Sequence, residues 1–182
     1  MRNAARVTVS TFGTLAGLAG IERGVGEILQ GNVAPKGLMI LSWPESEAFD
    51  TLAGEPAMTI VPNLLATGIV AALASSAFLL WSTLFVERRH GGLVLMVVSV
   101  IMLLVGAGFG PPLLGMLVGV VATRINTPLT WWRNHLSPGS RRLLSRLWPW
   151  ALGMSVVIWL SLLLGVVLLD WFVGTAAPEL VV

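Results

Sequence analysis

The sequence contains no cysteine and only two histidines among its 182 residues. Without cysteine, the chain can form no disulfide, thiolate metal site, sulfur-linked haem attachment or thiol nucleophile. His90 and His135 fall in separate predicted loops, and the chain has no H-E-x-x-H motif, G-x-S-x-G motif or phosphate-binding glycine loop. We therefore expect no metal site, no cofactor and no catalytic motif.

Charge is scarce as well, since 11% of the residues are charged and 55% are hydrophobic. The mean hydropathy is +0.86, whereas soluble domains carry about 25% charged residues. Apolar runs exceed the ~20 residues that cross a bilayer. The excess of eleven basic over nine acidic residues is small and does not indicate nucleic-acid binding. The composition predicts a single integral membrane domain over 1–182, an all-α polytopic bundle of transmembrane helices surrounded by lipid.

A first membrane span is predicted over about 7–29. Its basic start and apolar run also fit a secretory signal, but the helical pattern continues through Glu22, Arg23 and Glu27 without an A-x-A cleavage site, so we expect a retained span. Small residues spaced by four, as in G-x-x-x-G, allow a second helix to approach closely. This small-residue face consists of Gly13, Ala16, Gly17, Gly20 and Gly24. We expect it to pack against another helix, although glycine is also simply common in membrane helices.

An acidic connection and a second span follow. Residues 31–57 hold four carboxylates against the single Lys36. Trp43 and the apolar residues 38–41 indicate that part of this connection lies in the membrane interface. The second span is predicted over about 58–86, which is longer than a straight crossing requires. We expect tilt or an interfacial first turn to absorb the excess.

An interruption divides the next apolar stretch. Two adjacent prolines lack amide hydrogens and three glycines lie close by, so a continuous helix is not expected. The predicted broken-helix turn contains Gly106, Gly108, Gly110, Pro111 and Pro112. At 1.5 Å per residue the two arms, 93–108 and 111–123, would be roughly 24 Å and 20 Å long, both short of a ~30 Å membrane core. We expect a broken hairpin with its turn below the outer surface; a re-entrant loop and a single crossing are the alternatives.

The flanks of this hairpin are both basic, with Arg88 and Arg89 before it and Arg124 after it. Short basic loops stay in the cytoplasm. Two crossings keep both flanks on that side, whereas a single crossing would place one of them outside. With a last span predicted over about 148–173, the chain has about five membrane segments, its amino terminus inside and its carboxyl terminus outside the cell membrane.

Residues 125–147 are too polar to cross a membrane. Thr127 is predicted to cap a short helix that ends at Ser137, and Ser140 is predicted to cap a second one. Such basic, tryptophan-containing helices fit an anionic cytoplasmic leaflet, at about 1 kcal/mol per basic residue near the surface. The predicted lipid-interface residues are Trp131, Trp132, Arg133, Arg141, Arg142 and Arg146. The alternative is a solvated basic loop that only fixes the topology.

Ionisable residues in the first span form the candidate polar site. By helical rise, Glu22 and Arg23 lie in the outer third of the membrane core and Glu27 lies near its outer edge. Arg23 and Glu27 are four residues apart and are predicted to pair, while Glu22 points elsewhere and needs a partner from another segment or a water-filled pocket. Asn63, at the outer end of the second span, is predicted to lie on the same side. The alternatives are a structural ion pair and side chains that extend to the membrane surface.

Three functions are compatible with these features. A non-catalytic accessory or structural subunit demands least, because glycine-lined helices and interfacial helices can pack against other membrane subunits or a second copy. The alternative is an oligomeric transporter or channel, in which the broken hairpin lines a path and Glu22 or Glu27 contacts a cation or proton. An enzyme with either carboxylate as general base is third, because nothing in the sequence selects a substrate.

Overall fold

The computed structural model describes residues 2–44, 54–127 and 130–161. Within these ranges the regular secondary structure is helical apart from two short strands, which confirms the predicted all-α class. The helices are α1 (Arg2–Leu29), α2 (Leu64–Leu80), which continues as a π-helical turn (Trp81–Phe85), α3 (Gly91–Leu104), α4 (Gly110–Ala122), α5 (Thr130–His135) and α6 (Pro138–Leu160). The chain divides into two compact units, of which the first contains α1 to α5 and the second contains α6. A single membrane domain stays a prediction.

Helix α1 packs antiparallel against α2 through its small-residue face. A Cβ atom built on Gly24 would lie 2.8 Å from the carbonyl oxygen of Gly68, so the two backbones are in contact there. Near the other end of the pair, Gly13 faces Ser82 of the π-helical turn. The Ser82 carbonyl accepts a hydrogen bond from Ser10 Oγ at 3.2 Å. The predicted packing role of these glycines is therefore confirmed.

Helices α3 and α4 form an antiparallel hairpin with an irregular turn between them. The backbone leaves α3 at Leu104, turns through Gly106 (φ 96°) and Gly108 (φ 76°), and enters α4 at Gly110. Glycine adopts positive φ without steric cost. The two prolines after Gly110 occupy the first turn of α4, where their missing amide hydrogens are not needed. The predicted interruption is confirmed, although α3 ends at Leu104 and not at residue 108.

The connection between α1 and α2 contains a short antiparallel strand pair, β1 (Met39–Leu41) and β2 (Pro56–Met58). The residue after β2 bridges to Val105 in the hairpin turn. The second span begins only at Leu64, with Asn63 as its N-cap. The helix therefore begins six residues after the predicted start of the span at residue 58, and the predicted tilt or interfacial first turn stays a prediction. Hydropathy alone does not separate a short apolar strand from a first helical turn.

At the end of the first unit away from the β1–β2 strand pair, charged residues from several segments lie together. Arg6 and Glu87 form an ion pair at 3.5 Å, and Asn126 Nδ2 donates a hydrogen bond to the Glu87 carbonyl at 2.9 Å. The start of α1, the α2–α3 loop and the residues after α4 therefore meet at one end. The basic flanks of the hairpin, which include Arg88 and Arg124, belong to these same segments.

The first unit has an apolar core in which several polar side chains are also buried, and its outer faces are apolar as well. Its buried polar side chains include Thr67, Ser75, Ser82 and Ser99. Leucines on three helical segments project outward, and Leu73, Leu84 and Leu117 are 65%, 66% and 66% exposed. Soluble monomers rarely expose large continuous apolar patches. In the described part of the chain, three helices are long and apolar enough to cross a membrane, namely Ala4–Leu29, Leu64–Phe85 and Pro138–Leu160. These features indicate a membrane protein.

In the second unit, α6 runs without interruption from Pro138 to Leu160. Ser137 caps this helix, since its Oγ accepts a hydrogen bond from the Ser140 amide at 3.2 Å. The predicted short helix capped by Ser140, separate from a span starting at residue 148, is therefore wrong. The helix continues through Pro149, a residue that membrane helices tolerate. The predicted end of this span at residue 173 lies outside the described residues.

Helix α5 occupies part of the segment predicted to be interfacial. It ends at His135, just before Ser137, as the sequence predicts. Residues 128 and 129 lie outside the described ranges, so the predicted cap at Thr127 stays a prediction.

Candidate polar site

Arg23 projects from α1 and binds Glu55, which lies immediately before β2. Arg23 Nη2 donates to Glu55 Oε1 at 2.8 Å, and Nε donates to Oε2 at 3.0 Å. The two side chains are only 11% and 4% exposed, so the pair is largely removed from solvent. The predicted pairing of Arg23 with Glu27 is replaced by this one. Because Glu55 approaches from another segment, it can meet two N–H groups at once, the geometry that makes arginine–carboxylate pairs strong.

The backbone of Glu55 is held in an uncommon conformation. Its φ of 53° lies in the left-handed region, which costs a residue with a Cβ atom about 1–2 kcal/mol. Its carbonyl accepts a hydrogen bond from the Ser42 amide at 3.2 Å. Such conformations persist where the surrounding contacts over-determine them. Glu55 is therefore fixed by both its side chain and its backbone.

Glu27 lies one helical turn after Arg23 and is fully buried. Its Oε1 accepts a hydrogen bond from Ser42 Oγ at 3.3 Å. Its Oε2 has no hydrogen-bond partner among the described residues. A buried polar atom without a partner is costly, and an ionisable group within a membrane span is a functional candidate by default. Of the residues in this site, Glu27 is therefore the one that a purely structural role explains least well.

The broken hairpin lies directly against these side chains. A Cβ atom built on Gly106 would lie 2.5 Å from Glu27 Oε2, 2.6 Å from Oε1 and 2.5 Å from Thr67 Cγ2 of α2. A Cβ atom built on Gly108 would lie even closer to the guanidinium of Arg23. Both positions therefore need glycine for space as well as for backbone conformation. The polar side chains and the Gly-Pro turn, which the sequence indicates separately, are neighbours in the fold.

Glu22 occupies another face of α1 and is half-buried. Its Oε1 accepts a hydrogen bond from Trp43 Nε1, and its carboxyl lies close to that of Glu55. Nearby, Gln30 Nε2 donates to the carbonyl of Leu41 at 2.9 Å and to that of the next residue at 3.0 Å. The prediction that Glu22 takes a partner from another segment is confirmed. The α1–α2 connection thus covers the end of α1 that carries the carboxylates.

Asn63, which the sequence groups with the polar site, makes its described hydrogen bonds elsewhere. Its Oδ1 accepts a hydrogen bond from the Ala66 amide at 3.0 Å, and its Nδ2 donates to Asn32 Oδ1. Asparagine is among the preferred N-cap residues because its side chain satisfies a free amide at a helix start. Asn63 therefore initiates α2, and these contacts do not link it to the carboxylates of α1.

The predicted lipid-interface residues fall on two helices in separate units. Trp131, Trp132 and Arg133 belong to α5, and their side chains lie outside the described part of the structure. Arg142 and Arg146 are exposed on the amino-terminal half of α6. Arg141, on the same helix, is half-buried. A lipid contact at these residues stays a prediction.

Sequence reasoning missed Ser42, Trp43 and Glu55 as members of the site. All three belong to the connection, which the sequence predicts only as an acidic and partly interfacial loop. A usable signal exists for Glu55, because a carboxylate just before the second span is a candidate partner for an arginine inside the first. No comparable signal marks Ser42, whose contact with Glu27 joins residues 15 positions apart through the strand pair.

No protein-family model, curated protein or solved structure matches this chain. Its function is therefore inferred from the geometry of the polar site. That geometry combines buried ionisable groups with an interrupted helical hairpin, a combination that ion-handling membrane proteins use.

Proposed function

We propose that the chain is a polytopic protein of the cell membrane with five membrane segments, its amino terminus in the cytoplasm and its carboxyl terminus outside. In this topology α1, α2 and α6 each cross once, while α3 and α4 form the broken hairpin. The contacts between Arg6, Glu87 and Asn126 support it, because they bring the basic flanks of the hairpin to one end, as the positive-inside rule requires for two crossings.

The lengths of the hairpin arms also support this topology. At 1.5 Å per residue, α3 and α4 are about 21 Å and 20 Å long, and each is shorter than a ~30 Å membrane core. The turn between them would then lie within the outer part of the membrane. Irregular backbone at that depth is tolerated where protein covers it, and Glu27, Arg23 and Thr67 cover Gly106 and Gly108.

We propose further that the protein is a non-catalytic transporter or channel for a small cation or a proton. One observation carries this proposal, namely the contact between Gly106 of the broken hairpin and the unpartnered, fully buried Oε2 of Glu27. Interrupted helices expose backbone groups next to ion sites, and carboxyls buried in spans bind the ions. The core of the first unit is filled by Phe78, Leu95 and Met102, so a path would run between copies of an oligomer.

A second candidate is an accessory or structural membrane subunit. The bidentate Arg23–Glu55 pair favours it, because that pair satisfies its own charges and fastens the connection to α1. In this case the polar site would serve folding alone. Either function implies lipid contact, with anionic headgroups near exposed basic residues such as Arg142 and Arg146.

An ion-flux experiment separates the two candidates. We expect the full chain in liposomes to carry protons, Na⁺ or K⁺ down an imposed gradient faster than empty liposomes do, as followed with an ion-sensitive dye inside. Glu27→Gln keeps the size of the side chain and removes its charge. It should bring the flux down to that of empty liposomes while leaving the detergent-solubilised protein folded.

Glu87→Gln is the matched control, because Glu87 is half-exposed at the opposite end of the first unit. This variant should retain the wild-type flux. If wild type and Glu27→Gln carry ions equally, or if no ion moves above background, the transport proposal is wrong. A folded Glu27→Gln protein without flux would in turn exclude a purely structural role for this carboxyl.

A further inference from the structure

We infer that the ion bound at this site is a proton and that it is held by the carboxyl of Glu27. The inference rests on the proposed function, because it names the ion that a path through the polar site would carry. Its basis is the chemistry of the groups that surround the two carboxyl oxygens.

The surroundings of Glu27 do not suit a metal cation. Hard cations take several oxygen ligands, six to eight for Ca²⁺ and six for Mg²⁺. At Glu27, the Ser42 hydroxyl is the described hydrogen-bond partner, and it reaches Oε1. On the other side, the Cα atom of Gly106 faces Oε2, and the methyl group of Thr67 lies beside that Cα atom. Carbon groups in that position offer no coordination, whereas a proton needs only the carboxyl itself.

The local charge balance also favours a proton. Arg23 is the charged group beside Glu27, and the carboxyls of Glu55 and Glu22 lie beside that same arginine. The hairpin turn and α2, which reach this side through Gly106 and Thr67, contain no charged residue. Arg23 is already engaged by both oxygens of Glu55. Ionised Glu27 would therefore be a third carboxylate beside one guanidinium, buried where an uncompensated charge costs several kcal/mol.

Proton binding also gives Ser42 a role. A hydroxyl both donates and accepts hydrogen bonds, so Ser42 can hold the carboxylate and can accept from the protonated carboxyl. Binding forms one O–H bond on Glu27 from a proton of the aqueous phase, and release breaks it, with no other reactant. Ser42 directly follows β1, so displacement of Ser42 from Glu27 would free Oε1 for contact with water.

Infrared spectroscopy of the full chain in lipid nanodiscs tests this inference. We expect wild type at neutral pH to show the C=O stretching band of a protonated carboxyl, shifted in D₂O and lost when the pH is raised. Glu27→Gln should remove this band, and the Glu87→Gln control should keep it. Adding NaCl at constant pH should leave the band unchanged.

Three results would overturn the inference: a wild-type band that does not change between acidic and alkaline pH, no such band in wild type, or loss of the band when Na⁺ is added. Each is read from wild type. Persistence of the band in folded Glu27→Gln would also overturn the inference, because the proton would then lie on another carboxyl, such as that of Glu22. The transport proposal is judged separately by the flux measurement. A titrating band without any flux would therefore refute transport and leave proton binding standing.

Discussion

Replacement of Arg23 by methionine is expected to lower the free energy of unfolding by about 3–5 kcal/mol. The side chain of Glu55 is 4% exposed and binds the guanidinium through both oxygens. Removing Arg23 leaves that carboxylate buried without its partner. It also removes one of the contacts that hold the Glu55 backbone at φ 53°. Unfolding of the detergent-solubilised protein by increasing dodecyl sulfate, followed by circular dichroism, measures the loss.

A double variant measures the energetic coupling between Arg23 and Glu55. Arg23→Met combined with Glu55→Gln removes both charges, so the double variant should lose less stability than the two single changes added together. A Lys36→Met variant is the control for loss of one basic residue, because Lys36 is exposed in the connection. Additive losses in the double variant would show that Arg23 and Glu55 are not coupled, against the geometry described here.

Substitution of Gly106 by alanine is expected to destabilise the protein by at least about 2 kcal/mol. The φ of 96° at this position is strained for any residue with a side chain. The added methyl group would also lie 2.5 Å from both Glu27 Oε2 and Thr67 Cγ2, so either these buried side chains or the hairpin turn would have to move. Thermal unfolding in detergent measures the effect.

Gly110 provides the matched control for this substitution. It starts α4 only four residues later, its φ is not positive, and a Cβ atom there meets nothing within 4 Å. Gly110→Ala should therefore leave the unfolding temperature unchanged or raise it slightly. Equal losses of thermal stability for Gly106→Ala and Gly110→Ala would mean that a methyl group at residue 106 does not clash with Glu27 and Thr67.

Much of the helical framework is predictable from the sequence, because lipid imposes strong rules on composition. Scarce charge and long apolar runs predict the membrane class. The spacing of Gly13, Gly17 and Gly24 predicts a tightly packed face on α1, which α2 occupies. Adjacent prolines after glycines predict the break between α3 and α4. In each case the signal is local, so a few neighbouring residues suffice.

The polar site is less predictable, because its contacts join distant segments. Arg23 has a local candidate partner in Glu27, yet the pair forms with Glu55, 32 positions away. That choice depends on the strand pair β1–β2, which orients the connection and resembles a helix start in hydropathy alone. The continuation of α6 through Pro149 is also hard to predict from the sequence, because proline normally ends a helix in water but is tolerated in membrane helices.

Single-cysteine labelling tests most directly the claim that the carboxylate site and the basic residues lie on opposite sides of a membrane. The natural chain has no cysteine, so Arg89→Cys, Arg133→Cys and Gly110→Cys each introduce one unique thiol. Gly110 is exposed, and we expect water to reach it from outside, so position 110 should react with a membrane-impermeant maleimide on intact cells. Positions 89 and 133 should react only after the membrane is opened. Labelling of position 89 or 133 from outside, or protection of position 110 in intact cells together with reaction after opening, would contradict the proposed hairpin and its orientation.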